Sequence, residues 1–423
     1  MTTSSPLVSV VVPVYNREQF LRQSISCICN QSFTALDIII VDDGSSDDSR
    51  KILQEFAAKD SRITLLYQNH CYAGAARNLG LTKAKGKYIL FLDSDDLFEV
   101  NMVEIMVKQA EKSAADCVFC RADMLLPNGR HKSMPQQLKK IYLENIDSNS
   151  FNISTDIAEG ALLFCRGWAW DRLLRTDYVR QTGVQFPHFV YAEDAPFAFP
   201  VTVMSPVCSL VNEVLVHYRQ NAYQVSSGSN ISKNPATCLE SCIEVYQNLK
   251  KLGAQPRVLD SCLCWMIDYI AWTFSIMKGE AVVQLAEELI YRIENRFSLS
   301  QKLKEWEHEY RFKEVLSDIS KSIKIYKNAV IFGRIITSCS QKDYSCFVRH
   351  VVNTSCAPTK TTELLYIFST HNPSVTVART KRTLYKYSFK HFLGKTSHKD
   401  YVQIKNFLRQ TISQLNSLYF NRH

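Results

Sequence analysis

The sequence predicts an α/β domain built on a mostly parallel, doubly wound sheet with helices on both faces, followed by a mainly helical, basic C-terminal region. Three observations carry this. Short continuous apolar runs rich in Val and Ile recur through the first 120 residues (VSVVVPV, IIIV, ITLLY, YILFL, CVFC), as expected of strands buried on both faces. Segments of helical spacing separate these runs, and that alternation calls for right-handed crossovers and a parallel sheet. Beyond about residue 231 the strand pattern stops, and longer stretches of helical periodicity take over. With 423 residues the chain is long enough for two domains, read here as 1–230 and 231–423.

The elements follow in order. Residues 7–14 make a first strand, closed by the turn Tyr15-Asn16-Arg17, and 18–30 a helix carrying Phe20, Leu21, Ile25 and Ile28 on one face. Residues 38–41 make a second strand, closed by Asp42-Asp43-Gly44-Ser45-Ser46. Asp47 and Asp48 then sit where a helix N-terminus favours negative charge. After the helix at 49–59, strand 63–67 and helix 73–83 lead to KYILFLDSDDLF at 87–98. Here an apolar run ends abruptly in Asp93, Ser94, Asp95 and Asp96. Three carboxylates within four residues repel one another unless water, donors or a cation balances them. In open α/β sheets, ligands bind beyond the carboxyl ends of the strands.

A helix at 102–113, a strand at 116–120 and a polar hairpin or loop at 127–150 come next. The aromatic segment Gly167-Trp168-Ala169-Trp170-Asp171-Arg172-Leu173 is expected to precede a helix. Tyr191-Ala192-Glu193-Asp194-Ala195-Pro196 opens another, with Asp194 near its N-cap. A strand at 214–218 ends in His217-Tyr218-Arg219, and the small polar residues 224–230 look like a linker. Helices are expected at about 236–252, 257–277, 280–297, 299–327 and 399–419. Asp260 and Asp268 make the second of these a buried core helix rather than a membrane span.

Composition excludes several classes. The first residues, MTTSSPLVSVVVPVYN, lack the basic and small-residue features of a signal peptide, and localisation is expected to be cytoplasmic. Fourteen cysteines show no disulfide or zinc spacing and read as reduced core residues. The net charge of +9 is uneven. Residues 231–423 hold 28 Lys/Arg against 16 Asp/Glu, leaving the first 230 with 22 against 25. A basic face with interleaved aromatics at 379–392 suits an anionic membrane surface, or is simply a solvated face beside a packed one. Nucleic acid is not expected as a partner. No GxxxxGK[ST] phosphate loop is present, which counts against a nucleotidyl- or phosphoryl-transferring enzyme.

The strings VSVVVPVYNRE, NQSF, IIIVDDGSSDDS and AGAARNLGLTKAKGKYILFLDSDD, in that order, resemble the N-terminal half of family 2 glycosyltransferases with the GT-A fold, over about residues 7–220. The resemblance implies that Pro13, Tyr15 and Asp43 hold the base of a nucleotide-sugar, usually uracil. It places Arg77 near the nucleotide and makes Asp93-Ser94-Asp95 the DxD motif, with Asp95 the main ligand of Mn²⁺ or Mg²⁺ and Asp93 its neighbour. Glu193-Asp194 resembles the ED motif, whose Asp takes the proton from the acceptor hydroxyl. Trp168, Trp170, Asp171 and Arg172 resemble a segment near the acceptor, and His217, Arg219, Ser226 and Ser227 one that closes over the diphosphate, with His217 a further metal ligand. What these expectations add up to is a metal-dependent inverting transferase that moves a sugar from a UDP-sugar to a surface glycan such as capsule or lipopolysaccharide, at the inner face of the cell membrane. The rival reading is a carbohydrate- or membrane-binding module on a decayed fold. The loop Gln68-Asn69-His70-Cys71-Tyr72-Ala73-Gly74 departs from the family pattern, in which Gly and Asn are common, and residues after 231 match nothing recognisable.

Overall fold

The computed structural model describes residues 7–134, 138, 146–147, 149–220, 231–277 and 280–337. The long apolar runs become the central strands: β1 (Val8–Val14), β2 (Leu36–Asp42), β3 (Ile63–Tyr67) and β4 (Tyr88–Phe91). Every residue of β1, β2 and β4 is buried, as a strand covered on both faces requires. These four lie parallel in the order β3-β2-β1-β4. Helices α1 (Glu18–Cys29), α2 (Ser49–Ala57) and α3 (Tyr72–Lys83) make the crossovers.

The other half of the sheet is mixed. Beyond β4 come β8 (Arg172–Arg175), β6 (Cys117–Leu125), β9 (Cys208–Arg219) and β5 (Leu97–Phe98), with β7 (His131–Ser133) paired to β6. β8 runs antiparallel to both β4 and β6, and β5 antiparallel to β9, while β6 and β9 are parallel. The segment around Trp168 therefore leads first into a strand, β8, and only then into helix α5 (Thr176–Thr182). Helix α4 (Met102–Ser113) packs Met102, Val103, Met106 and Val107 into the core beneath the sheet.

Two compact units are present. The first holds residues 1–227 with 240–265, and the second holds 228–239 with 266–423. Helix α6 (Asp194–Val203) and helix α7 (Thr237–Lys251) from Glu240 onward belong to the first. There the Asn248 side chain donates to the Pro196 carbonyl (3.0 Å) and Ser241 Oγ to the Ala192 carbonyl (3.0 Å). By compactness, the helical residues 240–265 thus group with the sheet, whereas the boundary read from the sequence fell at 230. Helix α8 (Pro256–Ile276) is the apolar one, and no helix of the described residues is long and apolar enough to cross a membrane. In the second unit, α9 (Glu280–Leu289) runs into a π-helical turn (Ile290–Glu294), and α10 (Ser320–Thr337) packs on it. Ser322 Oγ donates to Asp268 (2.6 Å) and Tyr326 Oη to Glu294 (2.6 Å). The helix expected at 299–327 is interrupted by a turn at Tyr310–Phe312. The linker at 224–230, the aromatic-basic segment at 379–392 and the helix at 399–419 lie outside the described residues.

Candidate active site

The first part of the site forms where β1 and β2 leave the sheet side by side. Pro13 pairs with Val41 and Val14 with Asp42, so Tyr15 and Asp43 emerge as neighbours. Asp42 is fully buried and spent on structure: its carboxylate accepts from the Ser45 amide (3.0 Å) and from Arg50 Nε (2.8 Å). Asp43 is also buried but turns the other way. It accepts from Gln68 Nε2 (2.7 Å) and the Cys71 amide (2.8 Å), and its Oδ2 lies 2.9 Å from His70 Nδ1. The His70 imidazole lies flat on Tyr15, centroids 3.9 Å apart and planes at 20°. Sequence reasoning flagged this loop as a departure but gave His70 no role. The adjacent Tyr72 has φ +69°, a left-handed conformation unusual for an aromatic residue and easy for glycine.

Arg77 is the hub of the second part. Helix α3 carries it, and glycines let that helix press close. A Cβ on Gly80 would stand 2.3 Å from a Val11 methyl, and one on Gly74 would stand 2.2 Å from the Pro187 carbonyl oxygen. Arg77 is thereby only 3% exposed, its guanidinium over the Phe186 ring at 5.3 Å. Its Nη2 meets Asp93 Oδ1 at 2.7 Å, and its Nη1 meets Glu193 Oε1 at 2.8 Å and Asp194 Oδ1 at 2.9 Å. Burial works against its charge, but Asp194, Asp93 and Glu193 outweigh that and hold it firmly protonated. The family resemblance implies a place near the nucleotide for Arg77; its described contacts are to these three carboxylates. They join the turn after β4 to the start of α6, which the chain enters through Ala192 in a left-handed conformation (φ +62°).

The acidic cluster is unevenly compensated. Ser94 and Asp96 are buried. Asp96 Oδ1 accepts from the Arg219 amide (2.8 Å), while its buried Oδ2 has no hydrogen bond. Burial first, then the charges of Asp95 and Asp93, push the Asp96 carboxyl well above the usual carboxylate range. Asp95 Oδ2 lies 3.5 Å from Arg17 Nε, and its carbonyl accepts from Arg219 Nε (2.7 Å). Asp194 is raised to about 8. Burial is the chief cause, Arg77 opposes it, and the negative charges of Glu193 and Asp93 add to it. Five carboxylates (Asp93, Asp95, Asp96, Glu193, Asp194) thus face three guanidiniums (Arg17, Arg77, Arg219); full ionisation would leave two formal negative charges in excess, which the metal-free protein avoids by holding protons on Asp96 and Asp194. That excess, together with the orphaned Asp96 oxygen, is the balance a divalent cation supplies, and hard carboxylate oxygens are its natural ligands.

His217 sits on β9 opposite Leu97, the residue that follows the acidic turn. Its Nδ1 lies 2.7 Å from Asp123 Oδ1 and its Nε2 lies 2.9 Å from Glu99 Oε1, so its described bonds are to these and not to Asp93 or Asp95. Burial lowers its pKa, but the bonds to Asp123 and Glu99 and their charge carry it net above the ordinary histidine value. Trp168 and Trp170 stack at 4.8 Å and Tyr218 stacks on Trp170 at 5.6 Å, forming an aromatic slab in which Trp170 is buried and Trp168 part-exposed. Asp171 and Arg172 are fully buried and bonded to one another (2.7 Å). Arg172 also donates to Thr202 Oγ1 and to the Arg166 carbonyl, so this pair braces the segment. Ser226 and Ser227 lie outside the described residues.

This sheet, with its acidic turn after β4 and a second acidic pair opening α6, is the GT-A fold of a glycosyltransferase. Residues 9–173 match the family described as Glycosyl transferase family 2. The putative glycosyltransferase EpsH of Bacillus subtilis (strain 168) is 30% identical over 247 residues, 57% of this chain and 68% of that protein. The uncharacterized glycosyltransferase EpsJ of the same organism is 29% identical over 267 residues, 61% of this chain and 75% of that protein. Among solved structures, S. aureus TarS 1-349 in complex with UDP-GlcNAc is 17% identical with a TM-score of 0.46, covering 71% of this chain and 92% of that one. The mannosyltransferase PcManGT from Pyrobaculum calidifontis, in complex with GDP-Man and Mn2+, is 15% identical with a TM-score of 0.45, covering 78% and 88%. The chain belongs to glycosyltransferase family 2 and is a glycosyltransferase.

Proposed function

We propose that this enzyme is a divalent-metal-dependent, inverting glycosyltransferase that moves a sugar from a UDP-sugar to a hydroxyl of a surface glycan such as capsule or lipopolysaccharide. One observation carries the reading. Arg77 ties the Asp93 turn to Glu193 and Asp194, so a metal-binding carboxylate set and a candidate base stand on opposite sides of a single buried guanidinium. Tyr15 offers a face for a base to stack on, and Asp43 a carboxylate to accept from the ring N–H of uracil, with Pro13 fixing the turn. Asp95 and Asp93 would hold Mn²⁺ or Mg²⁺, with Ser94 between them. Such an ion, when bound, offsets the charge that grows on the leaving diphosphate.

The chain's own groups account for the rest. Asp194 takes the proton from the acceptor hydroxyl, and its raised pKa gives it the basicity for that. Glu193 sustains this basicity by its charge, and Arg77 fixes both carboxylates in place. One base and direct attack give inversion at the sugar carbon. The part-exposed face of Trp168 suits a sugar ring of the acceptor, and the basic residues of 231–423 suit an anionic membrane surface at its cytoplasmic side.

The test is UDP release from a panel of UDP-sugars, with and without Mn²⁺, for the wild type, Asp95→Ala and Asp194→Asn. Metal-dependent release lost in both variants supports the assignment. Release by Asp194→Asn at the wild-type rate removes Asp194 as the base, and release unaffected by metal or by Asp95→Ala removes the metal site.

A further inference from the structure

We propose that Asp123, His131 and His217 form a second cation site, beside the acidic turn after β4 but using none of its carboxylates, and suited to a divalent ion of the zinc class. Sheet geometry brings the three together. Asp123 and His217 are register neighbours on the parallel pair β6 and β9. His131 pairs with Leu125, two residues from Asp123, so its side chain projects from the same face. Asp123 then reaches both rings: Oδ2 lies 2.9 Å from His131 Nδ1 and Oδ1 lies 2.7 Å from His217 Nδ1. The ligand atoms of the three residues all lie within 4.8 Å of one another. Tetrahedral zinc bonded at about 2.0–2.2 Å sets its ligand atoms about 3.3 Å apart. Side-chain adjustments of about an ångström therefore close the site.

Glu99 supplies the feature that separates such a site from a chance cluster. It follows β5, whose Leu97 is the register partner of His217, so Glu99 falls two residues on along the same face. Its Oε1 lies 2.9 Å from His217 Nε2. In the metal-free protein both ring nitrogens of His217 donate, Nδ1 to Asp123 and Nε2 to Glu99; with the Nε2–H held by Glu99, a cation displaces the Nδ1 proton and takes that nitrogen as its ligand. A carboxylate orienting a ligating histidine in this way is a regular part of zinc sites. Two imidazoles and one carboxylate favour Zn²⁺ and Co²⁺ over Mg²⁺, and three protein ligands leave a fourth position for water or an anionic group. The all-oxygen set at Asp93 and Asp95 prefers a harder ion, so the two sites are distinguishable by metal.

The experiment titrates the full-length, chelator-treated protein with Co²⁺ alone and with Zn²⁺ alone, following the visible Co²⁺ absorption and bound stoichiometry. One equivalent with a tetrahedral spectrum is expected, retained in Asp95→Ala and weakened at least about tenfold in His131→Gln. The His131 side chain is 48% exposed on a three-residue strand, so the substitution leaves the core untouched. Should it lower the metal-free Tm, Glu99→Gln is the second variant, expected to weaken Zn²⁺ several-fold while the Co²⁺ spectrum persists. No stoichiometric binding overturns the proposal. So does binding that Asp95→Ala abolishes, or binding that both His131→Gln and Glu99→Gln leave unchanged.

Discussion

The His70 imidazole lies against the Tyr15 ring at 3.9 Å while its Nδ1 reaches Asp43 at 2.9 Å. One side chain therefore engages both residues assigned to the nucleobase, by the same two interactions, stacking and a bond to the carboxylate. A uracil that stacks on Tyr15 and donates to Asp43 has to displace it. Replacing His70 by Ala removes that competition. The expected outcome is a donor KM lower by about fivefold, worth about 1 kcal/mol of stacking and hydrogen bonding, with kcat little changed. Calorimetric titration of UDP into wild type and His70→Ala measures it directly. A weaker fit of UDP to the variant would mean that His70 instead contacts the bound base.

Arg77 touches three carboxylates through a planar fork, and lysine cannot reproduce that geometry with a single ammonium. Arg77→Lys is expected to reduce kcat by at least about a hundredfold, because the turn bearing Asp93 and the start of α6 lose their common tie. Stability should fall by about 1–3 kcal/mol, because lysine keeps the positive charge but leaves at least one of the three carboxylates without its donor. Steady-state kinetics together with urea unfolding separate the two effects. Unchanged kcat in a folded variant would show that Arg77 is not needed to hold Asp194.

The carboxyl of Asp194 is raised to about 8 by burial and by its acidic neighbours. As the proposed base, Asp194 acts only once its proton is off, so activity is expected to increase with pH through that value. The kcat/KM profile, which reports the free enzyme, is expected to climb from about pH 6 and level off above about 9. Arg77 opposes the raised value, so in Arg77→Lys, where the contact is weaker, the ascending limb moves to higher pH. A profile flat from about pH 6 to 9 counts against Asp194 as the base.

The parallel half of the fold was legible because each strand there is a continuous apolar run closed by turn residues. VSVVVPV, LDIIIVD and YILF carry their burial in composition alone. β5 and β8 were not legible. Two residues (Leu97–Phe98) and an RLLR segment become strands only because β9, β4 and β6 offer edges to them, and those partners lie far away in sequence. The same holds for the site. The acidic turn after β4 and the Glu193-Asp194 pair stood out locally, whereas the ion pair between Arg77 and Glu193 joins residues 116 positions apart. His70 was signalled by a loop that breaks the family pattern, and Asp123, His131 and Glu99 by nothing short of strand register.

Asp96 closes the DSDD turn and shows what burial does to a carboxylate with no counter-charge on its second oxygen. Its Oδ1 accepts from the Arg219 amide, its Oδ2 is buried and unbonded, and Asp95 and Asp93 stand next to it in the chain. All of this favours the protonated form in the folded, metal-free protein. A carboxyl whose folded pKa lies above its unfolded value, about 3.9, holds its proton more tightly when folded. Its contribution to stability is therefore complete below that value and is eroded as the pH climbs through the range between the two. Asn copies the neutral carboxyl in shape, keeps an oxygen for the Arg219 amide and leaves one polar atom unpaired just as the acid does, so the two should match in stability at low pH. Above about pH 5 the wild type should lose ground to Asp96→Asn, the gap widening with every pH unit until the folded-state carboxyl titrates. Thermal unfolding in chelator across that range measures the gap. A constant difference would mean that Asp96 is ionised in the folded state throughout, with the turn compensating a third charge beside Asp93 and Asp95.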